Sequence, residues 1–189
     1  MNADANPQVA VAHDESEPQI ALSSDLHHAI CQFLNREALL LDHRNFKLWA
    51  ELLAEDLRYV APVRITRNLV DAGRQFSTST GHFDDDYASI KARVGRLLET
   101  KSAWSEDPAS RTRRFITNVT VYDTDLPNEF DVISYLLVTR NRAEADTYKL
   151  LSAERHDRLR RDKNSFKLVK REILLDQAVL GMPNFAIFL

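Results

Sequence analysis

Cysteine and glycine are scarce in this sequence, and each scarcity removes a class of chemistry. The single cysteine in 189 residues, Cys31, excludes an internal disulfide and any site built from several thiolates. Four glycines, Gly73, Gly81, Gly95 and Gly181, cannot form a dinucleotide-binding fingerprint or a phosphate-binding loop. Neither a G-x-S-x-G elbow nor an H-E-x-x-H pair is present. No apolar run approaches the roughly 20 residues that span a bilayer. Nor does a basic patch lead into an apolar stretch at the N-terminus, so the expectation is a cytoplasmic protein without a membrane partner. The six histidines suit iron poorly. His13 lies in a polar arm, His27 and His28 are neighbours about 100° apart on a helix, and His43, His82 and His156 are scattered. An iron–sulfur cluster held by two Cys and two His is excluded by the one cysteine.

The formal charge of -3 is uneven. Residues 1–21 carry Asp4, Asp14, Glu15 and Glu17 and no Lys or Arg, which leaves 25 Lys and Arg against 24 Asp and Glu in the rest. A nearly neutral body lacks the basic stripe that nucleic acid demands. The local exception is Arg155–Arg171, with eight basic residues. It reads either as a polyanion site or, more blandly, as the solvated or interface-facing side of a strand pair.

Residues 1–21 mix Ala, Pro and acids without period and read as a disordered arm; 22–189 read as one domain. Leu26, Ile30, Phe33, Leu34 and Leu41 recur at helical spacing, which predicts a helix over 23–41 capped by Ser23 or Ser24. Phe46, Trp49, Leu52 and Leu53 predict a short helix over 46–54. Leu57–Thr66 suits a strand, with Pro62 favouring an edge or bulge. Residues 68–83, rich in Ser, Thr and Gly, read as a long loop. Asp84, Asp85 and Asp86 are expected to open a third helix with Tyr87, Ile90, Val94, Leu97 and Leu98 inward. After a loop at 102–110 the period changes to 2, predicting strands over 114–122, 130–140, 146–161 and 165–180. Helices first and antiparallel strands after them indicate an α+β fold with the helices on one face of a curved sheet.

Candidate chemistry is thin. His82 beside Asp84–Asp86 could be tuned toward neutral pH, although packing at a helix start is the commoner role. Tyr59, Asp56 and Arg64 could line a cavity under the sheet, against the plainer reading of Asp56 as a turn residue and Tyr59 as core. Trp104, on a polar loop, and Arg111 and Arg113 after it, are candidates for an intermolecular contact. The apolar end of the chain, with Phe185 and Phe188, is expected to be covered by another chain or packed as a closing strand.

Four stretches carry a family likeness: REALLLDHRNFKLWAELLAEDLRYVAPVRITR (36–67), GHFDDDYASIKARVGRL (81–97), AWSEDPASRTRRFITNV (103–119) and KREILLDQAVL (170–180). With the terminal NFAIFL they resemble the β subunits of bacterial Rieske-type aromatic-ring-hydroxylating dioxygenases, those acting on biphenyl, benzene-type and polycyclic hydrocarbons above all. Arg114 departs from the histidine common after S-R-T-R in that family. The resemblance implies a cone-shaped NTF2-like fold and a non-catalytic subunit without cofactors of its own. It implies an α-subunit partner carrying a Rieske [2Fe-2S] cluster and a mononuclear iron, in an α3β3 hexamer. Electrons would come from NADH through a reductase and a ferredoxin, and the product would be a cis-dihydrodiol. The alternative on the same fold is a free-standing isomerase or dehydratase that uses His82, Tyr59 or Asp56 in the cone cavity.

Overall fold

The computed structural model describes residues 19–65, 75–99, 108–179, 181 and 187–189. Most of the expected arm therefore lies outside the described residues. Its last part does not hang free: Gln19 bridges Tyr122, and Ile20 N–H donates to the Val121 carbonyl at 2.9 Å.

Helix α1, Asp25–Asp42, starts where Ser24, in an extended conformation, accepts a hydrogen bond from His27 N–H at 3.1 Å. That bond satisfies one of the donors a helix start leaves orphaned. Ile30, Phe33, Leu34 and Leu41 are buried as the spacing predicts, and Glu37 is buried among them. Helix α2, Phe46–Ala50, is shorter than expected, because Leu53 already pairs with Leu168 in a strand. Apolar residues three and four apart fit a helix or a helix that turns into a strand, and tertiary pairing decided between them. Strand β1 is Leu53–Arg64 and strand β2 is Phe76–Asp86.

Strand β2 corrects two expectations. The supposed loop is a strand from Phe76 onward, while 68–74 lie outside the described residues. It is an edge strand, held by its hydrogen bonds to β1, so it needs little apolar content. At Gly81, opposite Pro62 where the register shifts, a Cβ would lie 3.2 Å from the carbonyl oxygens of Ala61 and Phe83. The three aspartates belong to the end of β2, and only Asp86 caps helix α3, Tyr87–Glu99, accepting from Ser89 N–H at 2.7 Å. Within α3 Ile90 and Val94 are buried, whereas Leu98 faces solvent.

Strands β3 (Arg111–Asp123), β4 (Glu129–Asn141), β5 (Lys149–Asp162) and β6 (Ser165–Leu175) form the antiparallel run that the period-2 pattern predicts. The β5–β6 hairpin needs only Lys163 and Asn164 between paired Asp162 and Ser165, with Lys163 at φ 53°. The sheet order is β2-β1-β6-β5-β4-β3, and β1 lies parallel to β6. That long crossover makes the sheet mixed, and the helices pack against its inner face over a core drawn from α1, α2, α3, β1 and β3–β6, with Phe83 of β2 packed against it.

Candidate functional site

The interior of the sheet holds charges. Strand β5 turns Leu151, Ala153, Arg155, Asp157 and Leu159 inward, and strand β6 turns Leu168, Arg171, Ile173 and Leu175 inward. Arg171, wholly buried, donates from Nε and Nη2 to the two Asp157 carboxylate oxygens at 2.7 Å each. It also donates from Nη1 and Nη2 to the two Glu37 oxygens, at 2.7 and 2.8 Å. Trp49 Nε1–H donates to Glu37 at 3.2 Å, and Arg155 lies 3.6 Å from the same carboxylate while donating to Ser134 Oγ. Two carboxylates face two guanidiniums, so the cluster is neutral and hydrogen-bonded, the condition under which buried charge is tolerated.

The titration behaviour follows from this arrangement. Burial alone would raise the Glu37 carboxyl, but the charges of Arg171 and Arg155 and the hydrogen bonds from Arg171 and Trp49 hold it below its ordinary value. Burial works against the Arg171 cation, yet Asp157 and Glu37 outweigh it and raise that group. Burial pushes the Tyr59 phenol up.

The last residues close this interior. The Tyr59 hydroxyl donates to the Leu189 carbonyl and accepts from Leu189 N–H at 2.8 Å, and Arg171 Nη1 reaches the same carbonyl at 3.0 Å. Arg114 donates to the Phe188 carbonyl at 2.5 Å and to Asp42. The Phe188 ring packs on Trp49, centroids 4.3 Å apart, with Phe46 edge-on and the Arg93 guanidinium 4.7 Å from its centroid. Beside Ile187 and Phe188, the space bounded by Leu41, Phe46, Leu97 and Thr112 is about 10 Å³, no more than one water fills.

The residues singled out from sequence are not brought together. Tyr59 is in the interior, but Asp56 lies outside, accepting two hydrogen bonds from Arg160 at 2.7 and 3.1 Å. Arg64 donates to the Leu175 carbonyl at 2.6 Å and to Gln75 at 2.8 Å. The acids near His82 are spent elsewhere: Asp84 on Arg58, Asp85 on Arg93, Asp86 on the helix cap. Burial lowers the His82 imidazole. Phe188, expected at an interface, is 1 % exposed in the core of its own chain, so its contact is internal. Arg111 is exposed and donates to Asn141 and to the Ala143 carbonyl; Arg113 is exposed beside it. Trp104 and Phe185 lie outside the described residues.

The basic run is also resolved. Arg155 and Arg171 are interior, Arg158 binds Asp131 through two bonds of 2.8 Å, and Arg160 binds Glu129 and Asp56. Arg161 covers Phe130 and Phe166, Lys167 donates to the Glu51 carbonyl, and Lys170 lies 3.7 Å from Glu172. Seven of the eight cations are thus engaged within the chain, which removes the polyanion reading. Glu37 could have been found from sequence, since it interrupts the apolar stripe of α1 at a buried position. Arg155, Asp157 and Arg171 likewise fall in phase with inward residues of their strands.

On the outer face of the sheet the pattern inverts. Phe115 pairs directly across from Leu137, Tyr135 pairs with Thr117, and Leu150 pairs with Thr139, itself opposite Arg113. Phe115, Tyr135, Leu137 and Leu150 are 41 to 52 % exposed. Among the described residues no group of three His, Cys, Asp or Glu side chains could hold a metal ion, and no helix is long and apolar enough to cross a membrane. His27 Nε2 lies 3.0 Å from the Val119 carbonyl, and His156 lies 2.6 Å from Glu154.

Helices packed on a curved mixed sheet, with a cone interior between them, define the NTF2-like class of α+β folds. A putative scytalone dehydratase from Novosphingobium aromaticivorans shares that fold (TM-score 0.57, 14% identity, 80% of this chain and 85% of that one). Within the class, residues 36–182 match the family described as ring hydroxylating beta subunit, and the chain belongs to it. It is 41% identical over 172 residues to the chlorobenzene dioxygenase subunit beta of Cupriavidus sp. (strain PS12), covering 88% of this chain and 90% of that one. Against the biphenyl 2,3-dioxygenase subunit beta of Rhodococcus jostii (strain RHA1), identity is 40% over 167 residues, covering 86% and 88%. A naphthalene 1,2-dioxygenase with indole bound in its active site superposes with a TM-score of 0.76 at 25% identity, covering 86% of this chain and 84% of that one.

Proposed function

We propose that this chain is the non-catalytic structural subunit of a cytoplasmic dioxygenase that converts aromatic hydrocarbons to cis-dihydrodiols. It assembles with an α subunit that holds the Rieske cluster and the mononuclear iron, in an α3β3 hexamer served by NADH, a reductase and a ferredoxin. The observation that carries this reading is the distribution of polarity. Charge is turned inward and neutralised, while Phe115, Tyr135, Leu137 and Leu150 stand outward next to Arg113. Apolar surface gathered on one face marks an interaction site, and arginine beside aromatics suits one. The donor set does not fit either iron: the one cysteine cannot make a Rieske site, and among the described residues no three His, Cys, Asp or Glu side chains gather to hold a mononuclear iron. The isomerase reading is disfavoured by the separation of Tyr59 from Asp56.

The test is co-expression with the α subunit of the same oxygenase. The double substitution Phe115→Ser, Leu137→Ser should reduce hexamer on size exclusion while leaving the melting temperature of this subunit within a degree or two. Full hexamer yield from that variant would remove the assigned face. Stoichiometric iron, or turnover, in the purified subunit alone would remove the structural role.

A further inference from the structure

Ile187–Leu189 meets the protein as a bound ligand would. The Phe188 ring sits in an aromatic clamp of Trp49 and Phe46 with the Arg93 cation over one face. Its carbonyl and that of Leu189 are met by Arg114, Arg171 and Tyr59. The guanidiniums and the Trp49 indole are fixed by bonds that do not involve the segment. Arg171 is held by Asp157 and Glu37, Arg114 by Asp42, Arg93 by Asp85 at 2.5 Å, and Trp49 by Glu37. The Tyr59 hydroxyl, by contrast, both donates to the segment and accepts from it. An ordinary core contact organises both sides mutually, whereas here one side is organised in advance, and preorganisation is what makes a site bind a separate ligand.

We propose that the cone interior is a binding site for an apolar, aryl-bearing peptide segment, and that the chain occupies it in cis with its own Ile187–Leu189. The ligand class is an aromatic ring flanked by backbone carbonyls that accept from two guanidiniums and a phenol. This assignment is independent of subunit assembly, because every group in it belongs to one chain.

The experiment uses the full-length chain with the cis segment weakened by Phe188→Ala, and the probe is the peptide acetyl-Ile-Phe-Leu-amide, in which the leucine keeps a backbone carbonyl. The substitution should lower the melting temperature. The peptide should restore at least half the loss saturably, leave the wild-type chain unmoved, and fail when its Phe is replaced by Ala. Adding Tyr59→Phe to the variant should weaken the peptide about tenfold, the worth of one buried hydrogen bond. If Phe188→Ala does not fold, Phe188→Leu, which keeps an apolar side chain in the clamp, serves with the same readouts. A folded variant that does not respond to millimolar peptide, or equal responses from wild type and variant, would overturn the proposal and leave Phe188 as an ordinary core residue.

Discussion

Replacing Arg171 by Leu tests the physical account of the interior most directly. The native side chain makes two bonds to Asp157, two to Glu37 and one to the Leu189 carbonyl, all between 2.7 and 3.0 Å and all buried. Leucine fills part of the space and makes none of them. Glu37 would keep Trp49 at 3.2 Å and Arg155 at 3.6 Å, while Asp157 would lose two charge-assisted bonds. Breaking a buried pair by removing one partner costs roughly 3–5 kcal/mol, because the remaining charge is left uncompensated. Set against the roughly 5–15 kcal/mol that holds a typical domain together, that is a large fraction. Urea unfolding at pH 7 should therefore show a markedly lower midpoint. The loss must also depend on pH. Removing Arg171 takes away the largest charge that opposes burial, so the Glu37 carboxyl lies higher in the variant than in wild type, the variant loses less stability on acidification, and the gap to wild type should narrow as pH falls below the ordinary carboxyl value. Arg171→Lys should recover only part of the loss, since an ammonium cannot hold both carboxylates in two-pronged fashion. A loss below about 1 kcal/mol, or a gap constant with pH, would refute the claim that charge compensation at Arg171 holds the cone closed.

Two further outcomes follow from the same accounting. Arg114→Ala should cost several-fold more stability than Arg160→Ala by urea denaturation. Arg114 is 2 % exposed on a 9 % exposed Asp42, whereas Arg160 is 40 % exposed and its pairing is worth about 0–1 kcal/mol. In acid, the wild-type chain should lose the contribution of Glu37. Its folded carboxyl is depressed, so its stabilisation is complete above the ordinary value of 4.5 and disappears as pH falls below it. A melting temperature that stays flat from pH 6 to pH 3 would contradict that sign.

Local signals in the sequence determined most of the elements. Ser24 and the apolar stripe of α1, the alternation from β3 to β6 and the short polar turns all act over a few residues, where backbone preference and side-chain period are strong. So did the family likeness, and with it the cone fold. Tertiary structure alone decided where β1 goes: it lies parallel to β6, more than a hundred residues away, and nothing local encodes a pairing at that range. It also made an edge strand of the Ser- and Thr-rich stretch before the aspartates, because hydrogen bonds to β1 replace the burial that a sequence pattern would reveal. The interior cluster stands between the two cases. Glu37, Arg155, Asp157 and Arg171 each fall in phase with buried neighbours and so are legible singly as anomalies. That they neutralise one another depends on α1, β5 and β6 meeting in space. The fate of Phe188 was settled in the same way, since an apolar end reads alike whether it is covered by a partner or by its own core, and only the position of Trp49 and Phe46 distinguishes the two.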